Sequence, residues 1–328
     1  MKKIHFIINP MAKNGYGLST WNKVEEELEK RGIPFQAFFT AYHGHAKELA
    51  RSIAENVDGE TVGLVAVGGD GTLHEIINGI IKYPNIVVGV IPAGSGNDFS
   101  RGLFIPKDPL VALDHIISKA SIQPEYIDVG KMINSEKEEQ YFVNNMGAGF
   151  DAEVAQAANR SRLKALLNRY SLGMLIYVMI LLKKLASFRC RTVEMTIDGK
   201  DYTFPLTWFV TVANQPYYGG GMLIAPGASP IDGELNIIVV NNLSKLKLLA
   251  VFISVFWGGH TRFKEVTTLK GKNIKITTSE PLLIHLDGEI KGYTPITVQV
   301  VNKSLSIIAR KDNLGEEEVK ELNAHEYR

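Results

Sequence analysis

The residues best suited to chemistry in this 328-residue sequence lie in glycine-rich turns that follow runs of β-forming residues. Gly68-Gly69-Asp70-Gly71-Thr72 follows the apolar run 62–67 and opens a helical pattern carrying Leu73, His74 and Glu75. Strand, glycine turn and helix start together present free backbone N–H groups to an anion, and the helix dipole favours negative charge there. A carboxylate in such a turn repels a bare phosphate, so Asp70 is expected to engage magnesium, directly or through water. A tight turn that merely needs glycine is the alternative. The Walker lysine pattern does not occur at this turn, so it is not a P-loop.

One strand further on, Pro92-Ala93-Gly94-Ser95-Gly96-Asn97-Asp98-Phe99-Ser100-Arg101 repeats the design: small residues, then one carboxylate and one guanidinium. Arg101 has the fork geometry to clamp phosphate oxygens, or else pairs with Asp98. Asn9-Pro10-Met11-Ala12-Lys13-Asn14-Gly15 also follows a strand pattern and is the least specific of the turns. Far along the chain, Leu286-Asp287-Gly288-Glu289 admits two readings. Asp-Gly is a hairpin signal, and the acid pair is also a candidate general base for an attacking hydroxyl.

The elements that must position these turns change character midway. Up to about residue 128, β-rich runs (4–8, 35–40, 62–67, 87–91) alternate with helical patterns (20–31, 45–54, 73–81), which predicts βαβ units. That is a Rossmann-like α/β domain over 1–128, whose ligands sit at the carboxyl ends of the strands, where the glycine turns fall. From 129 to 310 short β-rich runs crowd together: 141–144, 193–197, 207–213, 234–240, 273–277, 282–285, 296–301 and 305–309. They predict an antiparallel β-sandwich, interrupted by helical stretches at 160–188 and 245–256. Residues 311–328 read as a charged tail.

Composition narrows the class. With 45% hydrophobic and 22% charged residues the chain reads as soluble and globular. A net charge of +1 offers no global attraction to nucleic acid. The single cysteine, Cys190, suits a reducing, cytoplasmic setting. The apolar run after Met1-Lys2-Lys3 stops at Asn9-Pro10 and reads as a first strand rather than a signal peptide. No apolar stretch has the length of a membrane span. The eight histidines show no metal-ligand spacing.

Taken in order, the Asn9-Pro10 loop, Gly69-Asp70-Gly71-Thr72, Gly94-Ser95-Gly96-Asn97-Asp98-Phe99, Gly149-Phe150-Asp151-Ala152, Asp232-Gly233 and Leu286-Asp287-Gly288-Glu289 resemble the diacylglycerol kinase catalytic family, including its bacterial soluble members. The resemblance implies an ATP- and magnesium-dependent lipid kinase working in the cleft between the two domains, with diacylglycerol as the leading acceptor. It implies ATP contacts from Asn9, Pro10, Met11, Ala12 and Lys13, from Thr40, from Gly69 through Glu75, and from Ser95, Gly96 and Asn97. Asp70 and Asp98 would join a magnesium and water network, and Glu289 would accept the hydroxyl proton with Asp287 beside it. A structural magnesium is implied at Asp232 through its carboxylate and at Ser229 and Glu234 through backbone carbonyls. The first loop departs from the family pattern, with Ala12-Lys13 where a serine-glycine pair is frequent. The resemblance also makes a homodimer an expectation.

A soluble lipid kinase must reach its acceptor. Between Glu153 and Glu194 there is no acidic residue, but there are eight basic ones, and apolar residues recur there at helical spacing. Such a helix either docks on anionic headgroups as a transient, peripheral contact or packs on the sandwich. The apolar stretch 246–257 reads as core or subunit contact, or as the lining of an acyl pocket. Two rivals remain: a soluble-substrate kinase of the NAD kinase type, and a catalytically silent lipid- or nucleotide-binding regulator.

Overall fold

The first strands are almost wholly apolar, as strands covered on both faces must be. They are β1 (Ile4–Ile8), β2 (Phe35–Phe39), β3 (Val62–Gly68) and β4 (Ile86–Pro92), all parallel, in the order β2-β1-β3-β4. The computed structural model describes residues 4–57, 59–119, 124–160, 180 and 182–308. Successive β3 side chains serve opposite cores: Leu64 and Ala66 pack in one cluster, Val65 and Val67 in the other. Helices α1 (Tyr16–Lys30), α2 (His45–Glu55), α3 (Asp70–Ile80), α4 (Asp98–Gly102) and α5 (Pro109–Lys119) complete this half. Strand order reverses between β1 and β3, so the loops after these strands flank the crevice where such sheets take ligands.

The antiparallel half comprises β5 (Glu125–Ile133), β6 (Glu139–Phe142), β7 (Asn145–Gly149), α6 (Phe150–Arg160), β8 (Arg191–Ile197), β9 (Lys200–Ala213), β10 (Tyr217–Tyr218), β11 (Met222–Leu223) and β12 (Leu235–Asn241). After α7 (Lys245–Ser254) come β13 (Val266–Gly271), β14 (Asn273–Thr278), β15 (Leu283–Leu286), β16 (Glu289–Tyr293) and β17 (Ile296–Ile307). The first half of β9 pairs with β8, and its second half lies between β7 and β12, so one strand turns the corner between two packed layers. A single apolar cluster, running from Met132 to Val298, fills the space between them.

The two halves are tied by one strand. β17 pairs with β14 and β5 in its first part, then runs parallel to β4 through Ser306 and Ile307. Runs 296–301 and 305–309, expected as two strands, are thus one strand with a register shift after Val301. Helix α1 begins four residues before its expected start, after left-handed Lys13, Asn14 and Gly15. Strands β5, β7, β10, β11, β13 and β16 and helices α4, α5 and α6 were not expected. Most of the expected 160–188 helix, and the tail 311–328, lie outside the described residues; 182–187 is helical. No helix among the described residues is long and apolar enough to cross a membrane.

Candidate active site

The two glycine turns press directly on each other. A Cβ on Gly94 would collide with the Cα of Gly69, and one on Gly69 would lie 2.9 Å from the Cα of Gly94. Only glycine at both positions lets two backbones approach this closely. Asn97, in left-handed conformation, closes its own turn by accepting from Gly94 N–H at 2.9 Å and donating to Gly94 carbonyl at 3.1 Å. Ser95 is exposed beside it.

Asp70 joins three elements. Its Oδ2 accepts the N–H of Asp98 at 3.1 Å and its Oδ1 that of Phe99 at 3.0 Å, capping α4, while the Asn144 amide donates to Oδ1 at 3.4 Å. Burial, with the nearby Asp287 charge, pushes the Asp70 carboxyl up, against these hydrogen bonds. Asp98 is buried and accepts Gly220 N–H at 2.8 Å. Burial first, and Asp70 second, push it up to about 6. Arg101 pairs with Asp98 and lies over the Tyr217 ring, 5.6 Å from its centroid. The phosphate clamp expected of Arg101 is therefore replaced by an ion pair that positions Asp98.

Above Gly96 the two acids converge. The point where a Cβ would sit is 3.0 Å from Asp70 Oδ2 and 3.4 Å from Asp98 Oδ2. The Oδ2 atoms of the two acids thus lie on the same side of Gly96 at the cavity wall, and hard carboxylate oxygens are the donors a divalent cation takes. At the other turn expected to hold magnesium the acidic side chains are already paired. Asp232 Oδ2 is 2.9 Å from Lys270 Nζ and Glu234 Oε2 is 3.9 Å from it, so one lysine neutralises both side chains. Ser229 is half-buried nearby. No group of three or more His, Cys, Asp or Glu suited to a metal occurs among the described residues. The turn is held instead by Asp128, which accepts Gly233 N–H at 2.8 Å and donates its own N–H to Pro230 at 2.7 Å.

Residues 69–75 divide their work in ways that spacing did not show. Thr72 Oγ1 accepts from Asn9 Nδ2 at 3.1 Å, joining the first loop to this turn, and Asn9 Oδ1 accepts Met11 N–H at 3.1 Å. Leu73, expected at the nucleotide, is in the core. His74 Nδ1 faces Asp287 at 2.9 Å. Glu75 accepts the N–H groups of Gly44 at 2.8 Å and Ala46 at 3.1 Å and stands 2.7 Å from His43 Nδ1. It caps α2, so its carboxylate is not free for the nucleotide. Thr40 N–H extends β2 by bonding Ile8 carbonyl at 2.8 Å. Met11 is exposed, and Pro10 and Ala12 contribute backbone carbonyls to the start of α1. Lys13 lines the cavity described below.

The β15–β16 hairpin separates the expected acid pair into two roles. Asp287 (φ 49°) and Gly288 (φ 88°) form the two-residue loop, both left-handed as a tight hairpin requires. The buried Asp287 carboxylate accepts Val143 N–H at 3.1 Å, Asn144 N–H at 2.9 Å and Asn145 N–H at 3.1 Å, besides meeting His74. It is a clamp between α3, the β6–β7 turn and the hairpin, not a second base. Glu289 is 30% exposed, with Oε2 3.5 Å from His43 Nε2. A Cβ on Gly71 would be 3.8 Å from its Oε1, so this carboxylate stands over the N-terminus of α3.

A cavity of about 800 Å³ takes lining from both halves. Its polar lining includes Lys13, Asp70, Gly71, Ser95, Gly96, Asp98, Asn144, Asn145 and Glu289. Its apolar lining comes from Phe150, Val154 and Ala158 of α6, Phe209 and Met222, and Leu248, Val251 and Phe252 of α7. Two further lining residues, His285 and Asp151, are buried and face each other at 3.5 Å. Asn144, Asn145 and His285 escaped sequence reading because each lies in an apolar run that reads as plain strand.

Comparison with known proteins agrees with this layout. The model of the diacylglycerol kinase catalytic domain matches residues 3–132, and that of the YegS C-terminal NAD kinase beta sandwich-like domain matches residues 144–309. "Putative lipid kinase YtlR" of Bacillus subtilis is 35% identical over 88% of this chain and 94% of its own length. A diacylglycerol kinase of Staphylococcus aureus is 31% identical over 89% of this chain and 87% of its own. Among solved structures, a diacylglycerol kinase from Bacillus anthracis shares the fold with a TM-score of 0.70 at 22% identity, over 94% of this chain and 97% of its own.

Proposed function

The chain belongs to the diacylglycerol kinase family, and from that premise we propose that it transfers the γ-phosphate of ATP, with magnesium, to the hydroxyl of a lipid, diacylglycerol foremost. The observation that carries this reading is the mixed lining of one cavity: phosphate-binding turns and Glu289 together with the apolar faces of α6 and α7. A soluble acceptor would have no use for the apolar lining.

In this reading the free N–H groups at the start of α3 and Lys13 hold phosphate oxygens. Asp70 and Asp98 would hold magnesium, which would supply charge neutralisation on the transferring group. Glu289 takes the proton of the acceptor hydroxyl as its oxygen attacks the γ-phosphorus in line. The new P–O bond forms as the bond to the β-phosphate oxygen breaks, ADP leaves, and the proton stays on Glu289. Asp287 holds the hairpin that aims Glu289 and takes no proton itself.

The test is transfer from γ-labelled ATP with magnesium to a panel of lipids in mixed micelles, with extraction into organic solvent. Label in the extract with the wild type, at least ~10²-fold less with Glu289→Gln, and normal ATP binding by that variant are expected. Absence of label with every lipid, for folded protein that binds ATP, would overturn the reading. Undiminished turnover by Glu289→Gln would overturn the base assignment.

A further inference from the structure

Helix α7 is apolar on two faces. Leu248 and Val251 are buried on the inner one, as is Val255 in the turn that follows. On the outer one Leu246, Ala250 and Ile253 recur at i, i+4 and i+7, and Trp257 follows in the 3₁₀ turn Val255–Trp257 that continues the helix. Leu246 is 83% exposed, Ile253 58% and Trp257 64%. A surface helix of a soluble protein normally turns a polar face outward, and a contiguous exposed apolar patch marks a binding surface.

Two observations say what covers this one. Ile253 and Phe256 are exposed and also line the cavity, so the outer face runs into the mouth of the site. From Leu235 to Lys264 the chain has no acidic residue, and Lys245, Arg262 and Lys264 stand exposed around the helix. We propose that the outer face of α7 inserts shallowly into an anionic lipid surface, so that the acceptor enters the cavity without crossing water. Apolar residues, an interfacial tryptophan and flanking cations are the three features of a helix lying in a headgroup layer. A two-fold pairing of this face with a second copy would set the same cations against each other. The proposal rests on the lipid-acceptor reading and refines it.

The protein carries its own reporter. Trp21 and Trp208 are 1% and 2% exposed, so only Trp257 should respond to added vesicles. With phosphatidylcholine vesicles containing phosphatidylglycerol, the emission of Trp257 is expected to shift to the blue and to be quenched by bromine on the upper acyl chain. Leu246→Glu should weaken partitioning roughly tenfold, since one leucine side chain no longer leaves water. Its far-UV circular dichroism and its turnover of a short-chain, monomerically dispersed diacylglycerol should stay unchanged. An unmoved Trp257 emission in a preparation that phosphorylates the short-chain acceptor would overturn the docking surface and leave the kinase reading standing. So would undiminished vesicle binding by Leu246→Glu together with a change from dimer to monomer in sedimentation, which assigns the face to a second copy. A Trp257 shift without turnover of any lipid would support the docking surface and count against the kinase reading.

Discussion

Replacing Asp287 by Asn separates a clamp from a base. In the wild type, Oδ1 accepts from Asn144 and Asn145, and Oδ2 accepts from Val143 and faces His74. Asparagine keeps one oxygen and places an NH₂ group at the other position, against the Val143 N–H. One buried backbone donor then loses its partner, at about 1–3 kcal/mol, and the surviving bonds lose their charge-assisted strength, about 1 kcal/mol more. Removing a fully buried charge offsets part of this, leaving a net loss of about 2–4 kcal/mol. Urea unfolding at neutral pH should show a lower midpoint with an unchanged slope. Turnover at a temperature where the variant is folded should fall by less than roughly tenfold, because Glu289 is intact and only its hairpin is looser. Glu289→Gln should do the opposite: stability within about 0.5 kcal/mol of wild type, as for a surface-accessible side chain, and a collapse of turnover. An Asp287→Asn protein with wild-type stability and no turnover would refute the clamp and place Asp287 in the chemistry.

The Asp98 carboxyl, raised to about 6, makes a pH prediction. A carboxyl with a folded value above its unfolded one favours the fold while protonated, so the contribution is full below about pH 4 and is lost as pH rises through about 6. Without magnesium, Asp98→Asn should therefore gain stability relative to wild type between pH 4 and 7.5, by on the order of 3 kcal/mol, read from denaturant midpoints. A flat difference would refute this. Gly94→Ala forces a methyl group against the Cα of Gly69 and within 2.8 Å of Asn97 Oδ1, contacts no rotamer can relieve. It should cost about 2–4 kcal/mol and weaken ATP binding in a calorimetric titration. Gly71→Ala meets only Glu289 Oε1, at 3.8 Å, so it should leave melting within a few degrees of wild type while turnover falls. Glu75→Ala removes the acceptors that cap α2 at Gly44 and Ala46 and should cost about 1–2 kcal/mol by thermal melting, whereas Glu75→Gln, which keeps one acceptor oxygen and turns its NH₂ toward the other N–H, should recover only part of that loss.

Much of the first half was legible because its signals are local. An apolar run, a glycine turn and a helical pattern name a βα unit wherever they occur, and β3 with α3 lies within two or three residues of its expected bounds. Asp70, Ser95 and Glu289 could be singled out for the same reason, each sitting in a short distinctive turn. Boundaries failed where backbone conformation, not pattern, sets them, as at left-handed Lys13 and Asn14 before α1. Strand β17 was read as two because Asn302, Lys303 and Ser304 look like a turn, although they form a bulge in one strand that spans both halves.

By itself the sequence determined the alternation of strands and helices in the first half, the glycine-rich turns and the acids available for chemistry, since these depend on residue type and short-range spacing. Only the tertiary structure decided what each acid does. Asp287 and Glu289 stand two residues apart, yet one is spent on backbone donors from a turn more than 140 residues away and the other lines the cavity over α3, beside His43. Glu75 looks like part of a nucleotide site and caps a neighbouring helix; Arg101 looks like a phosphate clamp and holds Asp98. The role of a charged side chain is set by which unpaired partners the fold brings within about 3 Å, and those partners come from elements that sequence spacing cannot bring together.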